Sequence, residues 1–133
     1  MTVRRRNRAL AGGFVMAVAA LAVTLLPMVA SSELDRGRDV ELVIRDMAFY
    51  LDGKGEPNPT LKFRAGERVR LVVRSEDAGM DHDFVVKKWK IRSTMVHGRD
   101  SARLTFTVPR RSGDDTYYCA PHAAKMRGTI RVE

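Results

Sequence analysis

Cysteine occurs once in these 133 residues, tryptophan once and histidine only three times. A single cysteine excludes an internal disulfide, so the fold must rest on its core and on whatever the thiol binds. In an oxidising compartment an odd thiol is an intermolecular bridge, a reactive group or a metal ligand. It also excludes a binuclear centre bridged by two cysteines. No acidic residue precedes Glu33, and the chain carries neither an internal repeat nor a low-complexity tract. With 44% hydrophobic and 30% charged residues it has the composition of one globular domain rather than of a disordered segment.

The formal net charge of +8 overstates how basic the body of the chain is. Arg4, Arg5, Arg6 and Arg8 precede an apolar stretch, and the remaining 20 basic residues face 16 acidic ones. No basic run is interleaved with aromatics, which sets nucleic-acid binding aside. Ala9 to Ser32 carries no charged residue. A basic head followed by such a run reads as a signal peptide or an N-terminal membrane anchor over residues 1–32, with the domain placed outside. Ala30-Ser31-Ser32 offers small residues for cleavage, and the stretch is also long enough to span a hydrocarbon core of about 30 Å. Both outcomes stay open, and both predict an extracytoplasmic protein, in the periplasm or on the outer face of the cytoplasmic membrane. Residues 33–39 read as a short tether, and 40–133 as the domain.

Within the domain the hydrophobic period is two. Val40, Leu42 and Ile44 alternate with their neighbours; Met47, Phe49 and Leu51 continue in the opposite phase, which predicts a bulge or bend near Arg45-Asp46. Asp52 to Pro59 is turn chemistry. Leu61 and Phe63 form a short strand, and Val69, Leu71 and Val73 face inward opposite Arg68, Arg70 and Arg74. His82, Phe84 and Val86 share a face, so the histidine heads a core-facing row. Lys87, Lys88 and Lys90 read as a solvated edge. Leu104, Phe106 and Val108 alternate up to Pro109, Tyr117 and Cys119 share a face, and Ile130 and Val132 point inward on the last strand. Seven or eight short strands separated by turns predict a β-sandwich or barrel.

Tyr118-Cys119-Ala120-Pro121-His122 followed by Met126 concentrates a thiolate, an imidazole and a thioether on one strand end and the loop after it. Soft and borderline ligands of this kind select copper, and one more histidine completes a His2Cys set with a weak axial methionine. His82 supplies it from the start of another strand. His97, beside the Gly98-Arg99-Asp100 turn, is the rival and reads as exposed. Met80 reads as packing or loop. Zinc suits Cys and His but not Met, and a catalytic copper site would need more histidines than the chain has.

At these residues the chain resembles the cupredoxin family, small blue copper proteins such as plastocyanin, pseudoazurin and amicyanin. The resemblance spans roughly Val40 to Glu133. It rests on Phe63-Arg64-Ala65-Gly66-Glu67-Arg68-Val69, on His82-Asp83-Phe84, and on Tyr118 to His122 with Met126-Arg127-Gly128-Thr129-Ile130. It implies a Greek-key sandwich holding one copper ion that cycles between Cu(I) and Cu(II). Cys119, His82 and His122 would be the equatorial ligands and Met126 the axial one. Two departures stand out. Three residues separate His122 from Met126, one fewer than in plastocyanins and one more than in amicyanins. Asp83 stands where plastocyanins carry asparagine, and an ionised carboxylate accepts hydrogen bonds without donating any. The function implied is one-electron transfer, not enzymatic catalysis. A cytochrome or a respiratory or photosynthetic complex would dock on the apolar rim of His122. Copper storage or delivery outside the cytoplasm is the competing reading.

Overall fold

In a computed structural model the described residues are 37–133. The segment read as signal or anchor lies outside them. Eleven short strands follow one another: β1 (Arg38–Arg45), β2 (Ala48–Leu51), β3 (Leu61–Phe63), β4 (Arg68–Ser75), β5 (Asp81–His82), β6 (Val85–Val86), β7 (Ile91–Arg92), β8 (Val96–His97), β9 (Ser101–Thr107), β10 (Gly113–Tyr118) and β11 (Arg127–Val132). A 3-10 turn at Lys87–Trp89 is the sole helical element among the described residues, and no helix there is long and apolar enough to cross a membrane. The strands make an all-β Greek-key sandwich. One sheet runs β2-β1-β4-β9 and the other β3-β11-β10-β6-β7, with β5 and β8 paired separately. The surplus over seven or eight strands comes from two-residue pieces, β5 to β8.

The inward alternation of β4 holds, with Val69, Leu71 and Val73 buried and Arg68, Arg70 and Arg74 exposed. Its neighbour β1 is parallel, so the outward arginines meet acids across the strand boundary. Arg70 reaches Asp39 at 2.6 Å and Arg74 reaches Glu41 at 2.9 Å. Such exposed pairs contribute about 0–1 kcal/mol each. The phase slip after Ile44 is a bend and not a bulge. Asp46 and Met47 both take positive φ (51° and 58°), and β1 turns directly into an antiparallel β2. Two central residues of positive φ mark the hairpin turn whose twist matches the flanking strands.

Between the sheets sits an aromatic cluster. Phe84 stacks on Tyr117 at 5.4 Å, and Phe49 meets both edge-on at 6.1 and 5.4 Å. Each such pair adds about 0.5–1.5 kcal/mol beyond its buried area. Tyr117 donates its hydroxyl to the Pro59 carbonyl at 2.7 Å, and burial pushes its pKa well up. Gly128 lies opposite Tyr117 in the register, where a Cβ would collide with the phenol ring. Phe84 comes two residues after His82 and Tyr117 two before Cys119, so the cluster supports both histidine- and cysteine-bearing segments from below.

Candidate metal centre

Cys119 follows immediately on β10 and is fully buried. The residues after it form a compact loop closed on its own backbone. The His122 amide donates to the Cys119 carbonyl at 3.3 Å, and the Lys125 and Met126 amides donate to the His122 carbonyl at 3.0 and 2.9 Å. The Cys119 amide donates to the Met126 carbonyl at 3.0 Å, which shuts the loop. Three intervening residues therefore suit one turn that returns Met126, fully buried, beside Cys119. Asn58 fastens this loop to β2: its amide group donates to the Lys125 carbonyl at 3.0 Å while its carbonyl accepts from the Phe49 amide at 3.1 Å.

His82 enters from β5 with no exposed surface. Its Nδ1 lies 3.8 Å from Cys119 Sγ, and His122 Nδ1 lies 3.7 Å from the same sulfur. Ligating atoms of the three residues all fall within 4.8 Å of one another. A thiol has one proton to donate and accepts only weakly through sulfur, so hydrogen bonds to both imidazoles would require the two rings to adopt opposite tautomers. Metal–sulfur and metal–nitrogen bonds of about 2.3 and 2.0 Å, meeting near the roughly 120° of a trigonal His2Cys site, would instead span roughly 3.7 Å. Both sulfur–nitrogen separations match that span, and the donor set fits a single copper ion of the blue, type 1 kind.

The local electrostatics agree with metal binding. Burial lowers the pKa of His82, opposed by the Asp77 carboxylate and reinforced by His122, so the ring is neutral near pH 7 and has a lone pair to give. Burial also raises the Cys119 thiol, against the backbone N–H groups of Asp83 and His122 that face the sulfur. A bound metal replaces that proton.

Asp83 knits the two segments together by accepting. Its Oδ1 takes the Ala120 amide at 2.6 Å, and its Oδ2 takes Arg92 at 2.9 Å from Nε and 2.8 Å from Nη2. Arg92, Asp77 and Asn58 were not among the residues singled out from sequence. No local spacing marks them, since their partners lie on other strands. His97 is exposed, paired with Asp81 at 2.8 Å, and stays out of the cluster. Met80 is 39% exposed. Lys88 does more than blunt an edge, because with Trp89 and Arg111 it surrounds the buried Asp115 carboxylate.

A Greek-key sandwich with two imidazoles and a thiolate converging at one end defines a cupredoxin-like copper-binding protein. The sequence pattern of the copper binding proteins of the plastocyanin/azurin family matches residues 58–133, and the chain belongs to that family. No curated protein matches the chain at a significant level. Among solved structures, auracyanin A, a "blue" copper protein from Chloroflexus aurantiacus, is 18% identical, with 73% of this chain and 99% of that one covered and a TM-score of 0.54. Auracyanin from Roseiflexus castenholzii is 16% identical over 71% of this chain and 96% of its own, with a TM-score of 0.59. The McoA multicopper oxidase of Aquifex aeolicus reaches 0.59 at 17% identity over 73% of this chain, which spans only 27% of the oxidase. Likeness at these identities speaks for the fold.

Proposed function

We propose that this chain is a one-electron carrier working outside the cytoplasmic membrane, with His82, Cys119 and His122 as equatorial ligands and Met126 as the weak axial one. The observation that carries the reading is the convergence of two Nδ1 atoms on one buried sulfur, from segments 37 residues apart. When bound there, copper supplies a one-electron couple between Cu(I) and Cu(II). The protein holds the ligands ready: the loop is closed by four backbone hydrogen bonds, and Asp83 ties it to the His82 segment. Ligands fixed before loading move little between oxidation states, which favours transfer over delivery. Nothing in the cluster calls for an open catalytic position.

Residues 1–32 serve as signal peptide or membrane anchor and 33–37 as tether; Arg38 and Asp39, expected from sequence in the tether, pair with β4 as the first residues of β1 and belong with 40–133 to the copper domain. Half-buried His122 is ringed by Ala120, Pro121, Ala123 and Ala124, with exposed Lys125 and Arg127 at the border. A small apolar patch of this kind suits brief encounters, and its basic border steers in an acidic face of a redox protein such as a cytochrome. The test is an absorption and EPR spectrum of the copper-loaded chain together with voltammetry. Intense thiolate-to-copper absorption with a reversible one-electron wave is expected. A colourless chain that takes Cu(I) and surrenders it to a chelator would replace the carrier with a copper-handling protein.

A further inference from the structure

His82 has a second ring nitrogen, and its surroundings are unusual. Nε2 is fully buried and makes no well-aligned hydrogen bond. The group it faces is the Asp77 carboxylate, whose Oδ2 lies 3.2 Å away but off the hydrogen-bond axis. Asp77 is itself only 11% exposed and is held from two further directions. Its Oδ1 accepts the Asp46 amide at 2.7 Å and its Oδ2 accepts the Met47 amide at 3.1 Å. Those amides belong to the positive-φ hairpin turn between β1 and β2. The Asp77 amide in turn donates to Ser75 Oγ at 3.2 Å, fixing the start of the approach to β5.

We propose that Asp77 is a positioning residue of the copper centre: its carboxylate holds His82 as the Nε2–H tautomer, keeps Nδ1 bare toward Cys119 Sγ, and couples the β1–β2 turn to the metal. This rests on the reading of His82 as a ligand. A histidine that binds metal through one nitrogen characteristically donates the other N–H to a fixed acceptor, which sets the tautomer and raises ligand basicity. A carboxylate does so more strongly than a neutral acceptor because it is charged. Capping of the hairpin turn alone would explain the two amide contacts. It would not explain why the carboxylate comes within 3.2 Å of a fully buried imidazole nitrogen that has no aligned hydrogen-bond partner. A more basic Nδ1 binds Cu(II) in preference to Cu(I), so Asp77 holds the potential down.

The test uses the full chain. Long-range proton–nitrogen correlation spectra of the copper-free protein should show His82 protonated on Nε2 and bare on Nδ1; a proton on Nδ1 overturns the proposal, and this measurement needs no variant. In Asp77→Asn the ratio of Cu(II) to Cu(I) affinity should fall about tenfold, which is a rise of about 59 mV in potential. An unchanged ratio overturns it. Asp81→Asn removes the same charge close by in the chain, from a carboxylate paired with His97 instead. It should shift the ratio much less, and an equal shift would reduce Asp77 to one charge among several. His82→Ala separates the two levels of inference. If colour is lost there while Asp77→Asn changes nothing, the positioning role alone falls. If colour persists, the ligand assignment of His82 falls with it.

Discussion

Cys119 and His122 sit on a loop that closes on its own backbone, whereas His82 is held by groups reaching it from distant strands. In the first region every fastening bond inside the loop joins residues at most seven apart. In the second, Asp77 reaches back 31 residues to the Asp46 amide, and Asp83 reaches forward 37 residues to the Ala120 amide. The loop is thus fastened by local bonds, while the His82 side depends on contacts between segments far apart in the chain. Precision at a metal centre needs both, because a ligand set is only as fixed as its loosest member.

Substitutions that separate these regions differ widely in expected size. Cys119→Ser removes the sulfur on which both regions converge and should abolish the intense absorption of the copper-loaded chain. A variant that stays blue would take the thiolate out of the centre. Phe84→Ala empties the aromatic cluster beneath both regions and should lower the unfolding free energy by about 3–5 kcal/mol, measured by denaturant titration. A loss under about 1 kcal/mol would mean the two segments share no common support.

Asp83→Ala tests the link itself. It strands the Ala120 amide and unpairs Arg92, and should cost about 1.5–3 kcal/mol. Arg92→Ala should cost less, because it leaves the bond from the Ala120 amide to Asp83 in place; equal losses would locate the stabilisation in the ion pair and not in the amide bond. Met126→Ala should retain copper and shift the potential, since an axial thioether bond is weak. Complete metal loss would contradict that role. The smallest effect is expected for His97→Ala, on the exposed rim of the β5–β8 pair. Its spectrum should be unchanged and its stability within about 0.5 kcal/mol of the parent, and any loss of colour would show that the wrong histidine had been placed in the centre.

Much of this was legible in the residues alone, for identifiable reasons. The alternation of Val69, Leu71 and Val73 with arginines announced β4, because side chains on a strand must take opposite faces. The spacing of Cys119, His122 and Met126 set a thiol, an imidazole and a thioether on one strand end and the loop after it, and the loop returns His122 Nδ1 to within 3.7 Å of the sulfur. The slip after Ile44 was visible as a bulge or a bend: opposite phase is produced equally by a bulge and by a two-residue hairpin, and only the backbone angles at Asp46 and Met47 separate them. Asp77, Arg92 and Asn58 gave no local sign, since a polar residue in a loop or on an edge strand looks the same whether it faces water or a buried partner.

The order of residues by itself determined the donor chemistry, the inward faces of the strands and the closure of the ligand loop, because each depends on neighbours within a few positions. Only the tertiary structure decided which histidine joins the sulfur, which carboxylate stands behind it, and how an aspartate at position 83 is neutralised. Those contacts span strands far apart in the chain, and their existence depends on sheet pairing and register, which no short stretch encodes.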